Sequence, residues 1–94
     1  MDSGAALQEF LEFVLSQLVA RRDLAGVSHE IDDEGVHIYR ARVAEEDLGK
    51  VIGKNGRTAS SIRSLLKATG EKNGIAVRMK IYQVGGDDDG KAVA

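Results

Sequence analysis

Glycines and cations alternate in the segment DLGKVIGKNGRTASSIRSLL, residues 47–66. The glycines are Gly49, Gly53 and Gly56, and the cations among them are Lys50, Lys54 and Arg57. A glycine in a helical pattern costs about 1 kcal/mol relative to alanine, so three of them require an explanation. Glycine allows sharp bends and close approach of another backbone. These residue types at this spacing predict a phosphate-binding turn.

The turn GKNG, residues 53–56, is predicted to join two helices. The second helix begins directly after it, so its first N–H groups lack helical partners and the positive end of the helix dipole lies behind them. Such a helix start is suited to binding phosphate. Because Lys54 lies at the tip and Lys50 and Arg57 flank it, the turn suits a sugar-phosphate backbone passing over it.

Positive charge is concentrated in one part of an acidic chain. The net charge is −2 over 94 residues, yet residues 50–80 hold eight basic side chains and one acidic. Residues 1–49 hold four basic and eleven acidic side chains. A local basic block of this kind favours a polyanionic partner.

The composition excludes several classes of protein. The length predicts one domain, and 43% hydrophobic with 30% charged residues is typical of a soluble globular protein. Without cysteine there are no disulfides or thiolate metal sites, and two histidines argue against a zinc site. No run approaches 18 apolar residues, and the amino-terminal apolar segment lacks the basic start of a signal peptide. A cytoplasmic location is expected.

Hydrophobic periodicity predicts the order helix, strand, strand, helix, helix, strand. A wide apolar stripe predicts the first helix, with Ser3 as its N-cap and Phe13 off the stripe at the surface. The hairpin turn is DDEG, and His29 and His37 are expected at the surface or on an edge strand. The predicted elements cover residues 5–22, 27–32, 36–43, 45–52, 57–69 and 76–84.

The same patterns select the core and predict an α+β fold, a three-stranded sheet with helices on one face. The last helix is expected to bury Ala59, Ile62, Leu65, Leu66 and Thr69. In the strands, Tyr39, Ala41 and Val43 are expected to share the core face, with Met79 and Ile81 beside them. Residues 85–94 show no periodicity and are expected to be a disordered acidic tail.

VIGKNG followed by a helix resembles the GXXG loop of KH domains, which clamps four nucleotides of single-stranded nucleic acid. The element order is similar to the type II KH fold, α-β-β-α-α-β with a three-stranded mixed sheet, over residues 1–84. The short chain and the quoted segment are similar to the KhpA family of small bacterial RNA-binding proteins. The resemblance covers roughly residues 5–83.

The resemblance implies a set of RNA-binding residues. The GXXG positions would meet phosphates, and the apolar residues around them would line and support a groove for about four bases, flanked by two cations. Met79 and Ile81 would close the core behind the groove. The implied set is Lys50, Val51, Ile52, Gly53, Lys54, Asn55, Gly56, Arg57, Ala59 and Ile62.

A non-catalytic protein that binds single-stranded RNA, acting as an RNA chaperone or post-transcriptional regulator, is the function that this resemblance implies. It also implies a homodimer, or a heterodimer with a larger Jag-type KH protein. No metal, cofactor, membrane or small-molecule substrate is expected.

Two other functions fit parts of the sequence. Two short helices around a glycine-containing turn are also typical of a helix-turn-helix DNA-binding protein, although Ser60, Ser61 and Ser64 are short for reading bases. A dimerisation adaptor with incidental RNA affinity is the other alternative. A P-loop is excluded because Asn55 stands where serine or threonine is needed. The acids of residues 45–47 are interpreted as helix-start residues rather than a metal site.

Overall fold

The computed structural model of the chain describes residues 2–85 and 91–94. Its order of elements is the predicted one, three helices and three strands in an α+β fold. The elements are α1 (Ser3–Leu18), β1 (Gly26–Ile31), β2 (His37–Val43), α2 (Glu45–Ile52), a 3-10 turn (Lys54–Gly56), α3 (Arg57–Lys72) and β3 (Val77–Gln83).

The three strands form one mixed sheet in the order β1-β2-β3. β1 is antiparallel to β2, and β2 is parallel to β3, with Tyr39 opposite both His29 and Met79. Parallel neighbours need a long crossover connection. Here the crossover is α2, the GKNG turn and α3, so the turn lies within the connection, between its two helices.

The helices cover one face of the sheet and bury the core there. The predicted inward residues of β2 and β3 are confirmed, since Tyr39, Ala41, Val43 and Ile81 have no exposed surface and Met79 has 6%. The Tyr39 hydroxyl donates to the Gly4 carbonyl oxygen at 2.7 Å, which joins the start of α1 to the sheet.

The buried face of α3 differs from the predicted one at two positions. Leu65 is 55% exposed, and Thr69 is exposed as well. The residues that face the core are Ala59, Ile62, Leu66 and Gly70. Their spacing of three or four residues follows one narrow stripe, and Leu65 lies about 100° around the helix from Leu66.

The ends of α1 also differ from the prediction. Asp2, not Ser3, is the N-cap, and its carboxylate accepts from the Ala5 N–H at 2.8 Å. The helix ends at Leu18 rather than at residue 22, because Val19 is extended and the N–H groups of Ala20 and Arg21 bind the Asp47 carboxylate. A tertiary contact therefore ends this helix.

Part of the predicted disordered tail is paired with the sheet. The Val93 N–H donates to the Ile81 carbonyl oxygen at 2.7 Å, and the Ile81 N–H donates to the Ala94 carbonyl oxygen at 2.9 Å. The prediction of disorder therefore does not hold for these two residues. Positions 86–90 of the predicted tail lie outside the described residues.

The two histidines are half-buried on the core side of the sheet, under the start of α1. His29 lies on the edge strand β1, as expected, whereas His37 lies on the central strand β2. His29 Nε2 and His37 Nδ1 are 2.8 Å apart, and the His29 ring stacks on both His37 and Tyr39. Burial, followed by repulsion from His37, lowers the pKa of His29. Within residues 2–85 and 91–94, no helix is both long and apolar enough to cross a membrane.

Candidate nucleic-acid-binding site

α2 orients the GKNG turn by anchoring one face in the core. Three acids occupy its first turn, where they interact favourably with the positive end of the helix dipole, and Lys50 lies in its last turn. Val51 is 1% exposed and Ile52 is half-buried. The helix ends at Gly53, whose N–H donates to the Gly49 carbonyl oxygen at 2.9 Å.

The conformation of the turn explains two of the three glycines. Gly53 has φ 80° and ψ 170°, a region that only glycine adopts readily. A Cβ atom at this position would lie 2.2 Å from Thr58 Oγ1 and 2.8 Å from the Thr58 backbone nitrogen. Asn55 and Gly56 are left-handed, with φ 56° and 73°. Nothing close to Gly49 requires glycine there.

The polar side chains of the turn face solvent. Lys54, Asn55 and Arg57 are exposed, and Gly53 and Gly56 are half-buried. Within the described part of the chain, Lys54 and Arg57 form no ion pair. Their charges are therefore available to an anion that approaches the turn.

The apolar residues predicted to line a groove fall into two groups. Val51, Ala59 and Ile62 are 1%, 1% and 6% exposed and belong to the core. A direct contact of these three side chains with bases does not fit their burial, so they support the turn from below. Ile52 keeps accessible surface next to Gly53.

Asp47 fixes the position of α2, a role that the sequence interpretation missed. The side chain is fully buried, and its two carboxylate oxygens accept from the N–H groups of Ala20 at 2.9 Å and Arg21 at 3.0 Å. These backbone hydrogen bonds, with Lys50 Nζ at 3.7 Å, hold the pKa of Asp47 below its usual value. The carboxylate thus ties the end of α1 to the start of α2.

Replacing Asp47 with asparagine is expected to destabilise the fold, because the amide provides only one acceptor oxygen for the N–H groups of Ala20 and Arg21. The pKa of Asp47 is lower in the folded chain than in the unfolded one. Its contribution is therefore complete above the unfolded value of about 4 and is lost as the pH falls below it. Thermal unfolding at pH 7 and pH 3 should show a larger difference between wild type and Asp47→Asn at pH 7.

Glu46→Gln is the matched control for this prediction. Glu46 is the neighbouring acid, it is 59% exposed, and it pairs with Arg21 at the surface. Its replacement is expected to change stability by no more than about 0.5 kcal/mol. Equal losses of stability in the two variants would show that the hydrogen bonds of Asp47 contribute no more to stability than the surface ion pair of Glu46.

A depression at the free edge of β3 extends the site along α3. Its volume is about 260 Å³, and its lining residues are Arg63, Leu66, Lys67, Val77, Arg78, Met79 and Lys80. The Arg63 Nε–H donates to the Met79 carbonyl oxygen at 3.2 Å across it. Arg63 and Lys67 belong to the basic block of residues 50–80. Their four-residue spacing on α3 is the signal that places them together.

Known proteins are similar in sequence to most of this chain. A family model described as "KhpA/KhpB, KH domain" matches residues 8–81. The chain is 38% identical over 79 residues to RNA-binding protein KhpA of Aquifex aeolicus, covering 84% of this chain and 99% of the relative.

Other bacterial relatives match over the same span. RNA-binding protein KhpA of Chlamydia pneumoniae is 35% identical over 77 residues, which cover 82% of this chain and 97% of the relative. The protein of that name from Listeria monocytogenes serovar 1/2a is 34% identical over 77 residues, and its whole length is covered. No solved structure gives a significant match. The match of the family model over most of the chain, together with these relatives, shows that the chain belongs to the KhpA/KhpB KH-domain family.

Proposed function

We propose that the chain binds single-stranded RNA, with the GKNG turn contacting the sugar-phosphate backbone. The observation that carries this proposal is the turn itself, a glycine-framed bend whose cations, Lys54 and Arg57, face solvent without ion-pair partners among the described residues. The relatives whose printed name is RNA-binding protein KhpA support RNA as the partner.

Phosphate contacts supply affinity in this proposal and carry no sequence information. Gly56 directly precedes α3, so the positive end of that helix's dipole adds to the charges of Lys54 and Arg57. The N–H groups of Gly56 and Arg57 donate to the Gly53 and Lys54 carbonyl oxygens, so the attraction for phosphate comes from the dipole and the two side chains. Lys50 is 57% exposed and flanks the turn. The turn, at the start of α3, and the depression are separated by about 10 Å along that helix.

Base contacts in this proposal come from aliphatic surface. Ile52 next to the turn and Val77 in the wall of the depression are half-buried and offer that surface. Tyr39 and Tyr82 are buried, so neither ring is open to stacking. Aliphatic contacts and a short site imply weak binding with little base preference, in contrast to aromatic stacking platforms.

Weak single-site binding would be strengthened by pairing, since a linked second site raises the effective concentration. We therefore also propose a homodimer, or a heterodimer with a larger Jag-type KH protein, that acts on RNA in the cytoplasm as a chaperone or post-transcriptional regulator. Phe13 and Leu65 are 63% and 55% exposed and are available for such contacts. Sedimentation velocity with and without RNA measures the assembly.

The proposal predicts a preference for single strands. A short unstructured RNA should bind at low salt, and duplex DNA of equal charge should bind more weakly, because a duplex cannot place unpaired bases beside Ile52. The affinity should fall with salt with a slope of about 0.7 for each phosphate contacted. Fluorescence anisotropy measures both. Tighter binding to the duplex would instead support a helix-turn-helix DNA-binding function.

The pairing of residues 93 and 94 with β3 predicts that removing the end of the chain changes RNA affinity. Val93 and Ala94 occupy the backbone groups of Ile81 at the free edge of β3, next to the depression. A variant that ends at Gly85 should therefore bind single-stranded RNA about threefold more tightly at fixed salt, a change of about 0.7 kcal/mol.

The truncation removes both the acidic residues of the tail and the backbone pairing of Val93 and Ala94 with β3, so a control has to distinguish the two effects. The control variant Asp87→Asn, Asp88→Asn, Asp89→Asn keeps residues 91–94 and removes only the acids. If the control gains as much affinity as the truncation, charge is the cause and edge pairing plays no part. If neither variant differs from wild type, the end of the chain does not compete with RNA.

A further inference from the structure

The face of the sheet opposite the helices carries a second concentration of positive charge. All three helices lie against the other face, which holds Tyr39, Ala41 and Ile81 in the core. On the strands, side chains alternate between faces, so even-numbered residues of β2 and β3 point away from the core. The sheet patch consists of Arg40, Arg42, Arg78 and Lys80, with Tyr82 and Glu30 beside them.

The register of the strands places these cations next to each other. Arg40 is opposite Lys80, and Arg42 is opposite Tyr82 in the parallel pair. Neighbouring strands are about 4.8 Å apart, and residues two apart on a strand are about 6.6 Å apart. The four charges therefore fit within a small area that a single sugar-phosphate chain can cross.

Among the described residues, most of this charge has no ion-pair partner. Glu30 lies beside the patch and pairs with Arg40. Among residues 2–85 and 91–94, Arg42, Arg78 and Lys80 form no ion pair. The patch thus keeps a net positive charge in a chain whose overall charge is −2.

Local contacts hold the central arginine in place. The Arg42 guanidinium lies 5.4 Å from the centre of the Tyr82 ring, and its Nη1 donates to Ser28 Oγ at 3.1 Å. Tyr82 is 8% exposed, although it points away from the core. A fixed guanidinium loses less conformational entropy when it binds a phosphate than a freely moving side chain does.

We propose that the sheet patch is a second RNA-binding surface, which contacts the phosphates of a further RNA segment on the face opposite the GKNG turn. The proposal rests on the proposed RNA binding by this chain and adds a surface on β2 and β3, which shares Arg78 and Lys80 with the lining of the depression. Charge complementarity selects the occupant, since an unpaired cationic surface without an exposed aromatic ring is suited to phosphates rather than to bases. With one segment on each face, a single domain would hold two parts of a folded RNA, or two RNAs, close together.

The test compares a long RNA with a short one. The variant Arg40→Gln, Arg42→Gln changes the patch on β2, which does not line the depression at β3. The control variant Arg22→Gln, Lys72→Gln removes the same charge from the α1–β1 connection and the end of α3. Each protein is titrated with an unstructured 24-nucleotide RNA and with a four-nucleotide RNA, from 50 to 200 mM salt.

For the patch variant we expect about a tenfold loss of affinity for the long RNA at low salt. Its salt slope should be smaller by up to about 1.4, because two phosphate contacts are lost and each contributes about 0.7. Its binding of the four-nucleotide RNA should equal that of wild type, and the control should change the long-RNA slope much less. Circular dichroism and melting confirm folding. If the double variant is unfolded, Arg42→Gln alone is measured, with half the change in slope expected.

Three results would overturn the proposal. The first is an unchanged long-RNA affinity and slope in the folded patch variant, and the second is an equal loss in the control. The third is a pair of observations: the wild-type protein binds phosphatidylglycerol vesicles and the patch variant does not, while the two proteins bind the long RNA equally well. The sheet patch would then be a membrane-binding surface. A different pair of results would show that the GKNG turn is not a site. The wild-type protein would then not bind the four-nucleotide RNA, whereas the patch variant would still show a smaller salt slope with the long RNA.

Discussion

The double substitution Lys54→Asp, Asn55→Asp is expected to abolish RNA binding and to leave the fold intact. Both side chains are exposed at the tip of the turn, and neither forms a side-chain hydrogen bond or ion pair with a described residue. Two carboxylates placed there would repel phosphate where a cation now attracts it. The affinity for single-stranded RNA should fall by about 100-fold or more, which is about 2.7 kcal/mol.

The chain contains its own control for this substitution. Lys72 and Asn73 precede Gly74, so the tripeptide KNG of the turn recurs at the end of α3. Lys72→Asp, Asn73→Asp makes the same chemical change away from the turn. It should cost about 1 to 2 kcal/mol in stability, because the acids face the negative end of the helix dipole and the hydrogen bond from Asn73 Nδ2 to the Thr69 carbonyl oxygen is lost. Anisotropy titrations of both variants, with melting curves, separate a binding defect from a folding defect.

The comparison of the two KNG variants has a clear adverse outcome. Retained RNA binding in the folded Lys54→Asp, Asn55→Asp variant would remove the turn from the site. Equal losses in both variants would show that net charge alone governs binding, since the two changes are chemically identical.

The second large effect is expected at Gly53. Its backbone conformation is one that only glycine adopts readily, and a Cβ atom would lie 2.2 Å from Thr58 Oγ1 and 2.8 Å from the Thr58 nitrogen. Gly53→Ala should therefore lower the free energy of unfolding by about 3 kcal/mol, at the upper end of the range for such strain. It should also weaken RNA binding at least tenfold, because the bend between α2 and α3 has to change.

Gly56→Ala is the natural control for Gly53→Ala. Gly56 has φ 73°, but no atom lies within 4 Å of where its Cβ would be. Its substitution should cost only the left-handed backbone term of about 1 to 2 kcal/mol. Urea unfolding and RNA titration of both variants measure the difference. A Gly56→Ala variant that is as destabilised as Gly53→Ala would contradict the steric role of Thr58.

The parts of the fold that follow from local patterns could be predicted from the sequence. Alternation along β2 and β3 identified Tyr39, Ala41, Val43, Met79 and Ile81 as core residues, because each side chain of a strand has one of two faces. The helix break at GKNG also depends on local backbone preferences. The buried face of a helix is harder to predict, because consecutive residues are rotated by only about 100° around the helix axis. Leu65 was therefore assigned to the core although it is exposed.

The features that were missed depend on contacts between distant residues. Asp47 binds N–H groups 27 and 26 residues earlier in the chain, and an acid in the first turn of a helix already has a common local explanation. Val93 and Ala94 find partners only because β3 has a free edge beside them. Val51, Ala59 and Ile62 were expected at a groove, but their exposure depends on how α2 and α3 lie on the sheet.

The proposal that the GKNG turn grips an RNA backbone is tested most directly by backbone amide NMR during titration with a four-nucleotide single-stranded RNA. The largest chemical-shift changes are expected at the amides of Gly53, Lys54, Asn55, Gly56 and Arg57, with smaller changes at Ile52 and Met79. The amides of Ala20 and Arg21, which bind Asp47 on the other side of α2, should stay unchanged. Saturable binding that leaves the turn amides unshifted while β1 or α1 responds would contradict the proposed site.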